Sequence, residues 1–195
     1  MATKTAMITI AGRPNVGKST LMNKLIGEKI AIVSNKPQTT RNRIAGILTR
    51  GQTQFVFMDT PGFHKPRTKL GDYMVNVTKD SIADVDMTIL VVEPIANVGQ
   101  QEQTLIEQLS AKKCPVVLLI NKIDTVEKET LLSVIAAYSQ AGNFQAIIPI
   151  SAKNGDGLDE LLAECEKVAT ESPFLFPEDM TTDQPERQVM AEIIR

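Results

Sequence analysis

"MITIAGRPNVGKSTLMNKLIG", Met7 to Gly27, is the stretch that decides the architecture. Met7 to Ala11 reads as a buried strand. Lys18 to Ile26 reads as a helix, with Leu21, Met22, Leu25 and Ile26 on one face and Gly27 placed to cap it. Between them, "GRPNVGKS" (Gly12 to Ser19) has the pattern G-x-x-x-x-G-K-[ST], directly after a strand and directly before a helix, which is the context this motif needs. Gly12 and Gly17 let the backbone curl so that N–H groups point at phosphate oxygens, and the helix N-terminus adds its positive end. Lys18 supplies a cation for the β- and γ-phosphates, and Ser19 offers a hydroxyl to Mg²⁺. The bland reading, a chance glycine turn, would not require a strand on one side and a helix on the other.

Outward from this unit, apolar runs alternate with helical patterns. "IAGILT" and "QFVFMD" flank Arg50 to Thr53, short enough for a hairpin. A helical segment around Leu70 to Ala83 precedes "MTILVVE", one around Gln101 to Ala111 precedes "PVVLLIN", and one near Glu129 to Ala141 precedes "FQAIIPIS". A last helix is expected over Leu158 to Thr170. This order predicts an α/β fold of the P-loop NTPase type, with a mostly parallel sheet of six strands. One antiparallel edge strand comes from the hairpin, and helices cover both faces. Ligands of such sheets bind beyond the carboxyl ends of the strands, so each loop leaving a strand is a candidate site.

The chain has 195 residues, room for one α/β domain and a small appendage. Apolar residues make up 43% and charged residues 23%, ordinary values for a globular protein with a core. A net charge of −2 gives no global attraction to nucleic acid or anionic lipid, so such a partner must meet a local patch. Cys114 and Cys165 lack metal-ligand spacing, which fits a reducing cytosol. The apolar run in "MATKTAMITIAGRP" is too short for a signal peptide, and a cytoplasmic location is expected.

Three further motifs fall at strand ends. In "FVFMDTPGFHKP", Phe55 to Pro66, the strand ends in Asp59, a carboxylate placed to hold a metal, and Gly62 sits where a terminal phosphate meets a backbone N–H. "NKID", Asn121 to Asp124, follows "PVVLLIN". Asp124 can accept two hydrogen bonds from guanine N1–H and its exocyclic amine, and a buried carboxylate there would reject adenine by being left unpaired. Asn121 can tie this loop to the phosphate loop, and the aliphatic stem of Lys122 can lie along the base. "SAK", Ser151 to Lys153 with Ala152 between, has backbone N–H groups for the guanine O6. The tripeptide carries weight only through its position.

The series "GRPNVGKS", "PQTTR", "DTPGFH", "NKID" and "SAK", in this order, resembles the Era family of translation-factor-class GTPases. The phosphate and guanine motifs are common to small GTPases; the "QTTR" loop, "DTPGFHKP" and the tail carry the Era likeness. The resemblance implies a GTPase domain over residues 1–172, a linker over 173–186, and, in 187–195, the opening helix of a C-terminal KH-type domain otherwise missing from this chain. A terminal helix docked back on the domain is the plainer reading of the tail. The resemblance also implies a nucleotide-binding set of Gly12, Asn15, Val16, Gly17, Lys18, Ser19, Thr20, Asp59, Gly62, Asn121, Lys122, Asp124, Ser151, Ala152 and Lys153. Lys18, Thr40 and Gly62 would serve the hydrolytic step. Ser19, Thr40 (rather than Thr39) and Asp59, through a water, would hold Mg²⁺. Loss of the γ-phosphate would then release the two switch loops.

Phe63 stands where Ras-like enzymes carry a water-orienting glutamine. Members of this class have a hydrophobic residue there, so charge stabilisation must come from elsewhere. A water held by switch backbone is one substitute. The other is K⁺ between the β- and γ-phosphates, with Asn15 as a ligand; the alternative role for Asn15 is to brace the loop. His64, the only histidine, is read as a solvent-facing switch residue rather than a general base. Lys36, Arg41, Arg43, Lys65, Arg67 and Lys69 are read as solvated loop charges.

The function implied is a slow GTPase switch, taking GTP to GDP and phosphate, in maturation of the small ribosomal subunit. Its partners would be 16S rRNA and the 30S subunit, reached through the missing KH domain. Peripheral association with the inner face of the cell membrane and a monomeric state are also expected. Since no G-x-x-G loop follows Gln184, this chain itself should bind RNA poorly. The alternatives are a tRNA-modification or double-GTPase relative, a GTP-dependent binding module without catalysis, and, weakest, an ATPase.

Overall fold

The computed structural model describes residues 2–13, 15–27, 44–59, 85–111 and 114–174. The expected helix over Leu70 to Ala83, both switch loops with Thr40, Gly62, Phe63 and His64, and the tail helix over 187–195 lie outside the described residues.

The chain opens with β1 (Lys4–Gly12), then α1 (Lys18–Ile26) and the hairpin of β2 (Ile44–Arg50) and β3 (Thr53–Asp59). After these come β4 (Met87–Val92), α2 (Gln100–Ser110), β5 (Val116–Ile120), α3 (Lys128–Ala141), β6 (Ala146–Pro149), α4 (Leu158–Lys167) and β7 (Thr170–Glu171). The main path of the sheet is β2-β3-β1-β4-β5-β6. β2 runs antiparallel to β3 at the edge, and β1, β3, β4, β5 and β6 are parallel. These are the six strands and the antiparallel edge that the patterning predicts.

Two details differ from expectation. The sheet has a seventh strand, and the last helix stops at Lys167 rather than Thr170. Thr170–Glu171 instead pairs antiparallel with Lys4 and Thr5 of β1. The reason is geometric. β3 takes one edge of β1 from Lys4 onward, whereas β4 joins the other edge only at Ile8, which leaves the backbone groups of Lys4 and Thr5 on that side to be paired. The pairing continues past the strand: Ser172 N–H donates to Thr3 O at 3.1 Å, and Thr3 Oγ1 donates to Ser172 O at 2.7 Å.

Period-two alternation divides the core between the two faces of the sheet. Ile89 and Val91 of β4 and Val117 and Leu119 of β5 point to the face covered by Leu21, Met22 and Leu25 of α1 and Leu161 and Cys165 of α4. Leu90, Val92, Leu118 and Ile120 point the other way, against Leu105, Ile106 and Leu109 of α2 and Val134 and Tyr138 of α3. Both faces of β4 and β5 are buried, which is why those segments are continuously apolar rather than alternating. Truncating one such side chain, Leu119→Ala for example, would cost about 2–5 kcal/mol.

This arrangement aims the site. β1, β4, β5 and β6 all run the same way, so the loops after Gly12, Val92, Ile120 and Pro149 emerge along one edge of the sheet.

Candidate functional site

The loop after β1 is shaped by two glycines. Gly12 has φ 155°, and a Cβ there would lie 2.6 Å from the Val91 carbonyl oxygen of the neighbouring strand. Gly17 has φ 105°, and a Cβ there would lie 2.2 Å from Asn121 Nδ2. Asn15, between them, adopts a left-handed φ of 66°, which asparagine tolerates better than most residues. Gly17 is also the N-cap of α1 and offers no side chain to the first-turn N–H groups. The helix begins at the loop, so the positive end of its dipole faces the curl. Lys18 is buried, and its Nζ donates to Gly12 O at 2.9 Å and Arg13 O at 2.8 Å. The lysine thus lies inside the curl of the loop and holds it closed. Ser19 and Thr20 follow in the first turn of α1.

The loop after β5 brings the second motif. Asn121 is buried, and its amide faces two ways: Nδ2 donates to Val16 O at 2.8 Å, while Oδ1 accepts from Ala152 N–H at 3.0 Å. One side chain therefore clamps the phosphate loop to the turn after β6. The expected tie from Asn121 to the phosphate loop is present, and the tie to Ala152 adds to it. Lys122 lies across the same loop in a left-handed conformation, its Nζ donating to Asn15 O at 2.8 Å and meeting Glu93 Oε1 at 3.3 Å. Lys122 is thus a second tie between this loop and the phosphate loop.

At the far end, Ser151 Oγ donates to Asp124 Oδ1 at 2.9 Å. Asp124 is exposed. It sits in a single 3-10 turn, Ile123–Thr125, just past the end of β5. Of the three N–H groups of Ser151–Lys153, Ser151 N–H goes to Asp156 O at 3.1 Å and Ala152 N–H to Asn121. Lys153 N–H has no partner among the described residues.

Asp59 closes β3 with its backbone in register beside Ile10, two residues before Gly12. This register places its backbone next to the phosphate loop, and Ser19 lies in the first turn of the helix that leaves that loop. Among the described residues no group of three or more His, Cys, Asp or Glu could cage a metal. A hydroxyl and a carboxylate, hard oxygen donors in small number, suit Mg²⁺ that takes its remaining ligands from phosphates and water.

A family model described as 50S ribosome-binding GTPase matches residues 7–122, which run from β1 through Lys122. The chain belongs to this family. Within it the chain is similar to the Era GTPases. It is 50% identical over 195 residues to GTPase Era of Ruminiclostridium cellulolyticum, covering 100% of the chain and 65% of that relative. It is 49% identical over 195 residues to GTPase Era of Alkaliphilus metalliredigens, covering 66% of it. Among solved structures, Era in complex with MgGDPNP and nucleotides 1506–1542 of 16S ribosomal RNA superimposes with a TM-score of 0.93 at 36% identity. That match covers 98% of the chain and 66% of the other. A tyrosine-to-alanine variant of Aquifex aeolicus Era bound to GDP·AlF₄⁻ gives 0.92 at 36% identity, covering 98% of the chain and 65% of the other. The chain thus spans just under two thirds of the length of these Era relatives.

The sequence motifs leave several partners of the site undetected. Glu93, which pairs with Lys122, and Glu102, which pairs with Arg13, lie in no motif. Their only signal in sequence is a carboxylate just after a strand and another in the first turn of a helix.

Proposed function

We propose that this chain is the GTPase domain of an Era-type molecular switch, which binds GTP with Mg²⁺ and hydrolyses it slowly to GDP and phosphate. One observation carries the reading. The Asn121 amide joins Val16 of the phosphate loop to Ala152 of the turn after β6, and Ser151 beside it bonds Asp124, so the loop that carries Lys18 is tied to the turn that carries Asp124. A triphosphate would lie along the N–H groups of residues 15–19 against Lys18, and the base would pair with Asp124 and Lys153 N–H.

Mg²⁺ would be held by Ser19, Thr40 and Asp59, and would supply charge neutralisation on the β- and γ-phosphates. The chain's own contribution is to position the phosphates, exclude adenine and present Lys18 to developing negative charge. We further propose K⁺ as an accessory cation with Asn15 among its ligands. The left-handed turn at Asn15, braced by Lys122 on its carbonyl, supports a residue held in one fixed place. In the cell, the switch would act in the cytoplasm on the small ribosomal subunit and its 16S rRNA. A following KH domain would make the RNA contact, the whole being monomeric and able to associate peripherally with the membrane.

The test is a titration of the chain with fluorescent GDP and single-turnover hydrolysis of GTP, run in KCl and in NaCl. Binding competed by GTP but not ATP, with turnover faster in KCl, supports the full reading. Equal rates in both salts would remove K⁺; intact GTP would leave only a nucleotide-dependent binding module. Tight, sequence-specific RNA binding by this chain alone would contradict assigning RNA to the following domain.

A further inference from the structure

One contact of the phosphate loop has no part in the cleft described above. Arg13 sets its Nε against Glu102 Oε1, in the first turn of α2. The Nε makes no aligned hydrogen bond, so the contact is one of charge. Glu102 is only 6% exposed, and a carboxylate so far from water is costly unless a cation stands beside it.

Three features hold the carboxylate in this position. It lies at the N-terminal end of α2, where the helix dipole favours an anion. Gly99 leaves it room: a Cβ there would sit 2.6 Å from Glu102 Oε2. With φ −70°, Gly99 has an ordinary backbone, so its missing side chain serves space rather than conformation. Tyr138 of α3 is near enough to feel the group. Its phenol is pushed up to about 12, by burial first and then by Glu102, with Arg13 pulling it back. On the other side, the Arg13 carbonyl accepts the Lys18 ammonium at 2.8 Å. Arg13 is therefore held at both ends, its side chain by α2 and its carbonyl by the lysine of the loop.

We propose that Glu102 is a positioning residue for nucleotide binding, acting through Arg13 to fix the first turn of the phosphate loop and so to set where Lys18 presents its charge. The inference rests on reading this cleft as a GTP site. It makes α2 part of the nucleotide machinery and not merely a cover for the sheet.

The test uses Glu102→Gln, which keeps the shape and removes the charge, with Arg13→Gln, Arg13→Lys and the double variant E102Q/R13Q. Fluorescent GDP affinity is measured for each, beside the urea midpoint of the chain without nucleotide. Glu102→Gln and Arg13→Gln should each weaken GDP about tenfold, the double variant no further than either single, and Arg13→Lys should recover part of the loss. Unchanged affinity in Glu102→Gln would overturn the inference. So would additive losses, or a lower urea midpoint with GDP affinity of the folded chain intact. A parent chain that binds no guanine nucleotide would sink the site reading and this inference with it; a parent that binds, with Glu102→Gln equal to it, sinks only the inference.

Discussion

Ser151 Oγ donates to Asp124 Oδ1 across 2.9 Å, so a hydroxyl leaving one strand orients the carboxylate leaving another. Because Asp124 is exposed, this bond limits the directions in which the acid can point before a base arrives. Ser151→Ala should weaken GDP by about fivefold, the worth of one modest hydrogen bond, and keep the preference for guanine over adenine. Asp124→Asn should lose two charge-assisted bonds to the base, on the order of 100-fold in affinity. Competition of GDP and ADP against fluorescent GDP checks both.

Asn121 both donates and accepts, and only an amide of that length can do so here. Asn121→Asp keeps the acceptor for Ala152 N–H but turns a second oxygen toward Val16 O, which now meets an acceptor. GDP should leave roughly 10–100-fold faster, the cost of a buried carbonyl without a donor. A stopped-flow chase of fluorescent GDP measures it.

Gly17→Ala should separate folding from function. The added methyl would sit 2.2 Å from Asn121 Nδ2 on a backbone with φ 105°. The variant should keep a native circular-dichroism spectrum, show no measurable GDP binding, and lose roughly 3–8 °C in Tm from the strained conformation.

The two thiols should differ in reactivity. Cys165 is fully buried in α4, and burial pushes its thiol up to about 12, with Glu164 adding to the shift. Cys114 is only partly buried; burial raises it and the Thr88 hydrogen bond lowers it, with a net rise above 9.0. Since the thiolate is the reactive form, a disulfide reagent at pH 8 should modify Cys114 slowly, faster as pH climbs past 9, and Cys165 only on unfolding. For Cys165 the sign is fixed. Its raised folded pKa gives stability that is full below 9.0 and lost as pH rises toward 12, so Cys165→Ala should flatten that limb of the pH–stability curve.

Much of the site was legible because its parts are local. The pattern from Gly12 to Ser19 specifies a turn, and strand and helix periodicity on either side place it. Asn121, Asp124 and Ser151 could be named from their positions at strand ends. Glu102 could not, since nothing in the residues around it refers to Arg13. Nor could the end of α4 be read: Val168 and Ala169 continue an acceptable helical pattern, and the chain leaves it because Lys4 and Thr5 offer an unpaired strand edge.

The amino-acid order alone determined the chemistry available: a curled loop with a lysine, carboxylates and amides at strand ends, and alternating elements that build a parallel sheet. These follow from steric and hydrogen-bonding preferences acting over a few residues. Tertiary structure decided which groups meet. Asn121 reaches Val16, and Arg13 reaches Glu102, only because β4 lies beside β1 and β5 beside β4 in the sheet, and all three send their loops to the same edge. That adjacency is set by burial of the whole core, a sum over residues far apart in the chain, which no short window of sequence contains.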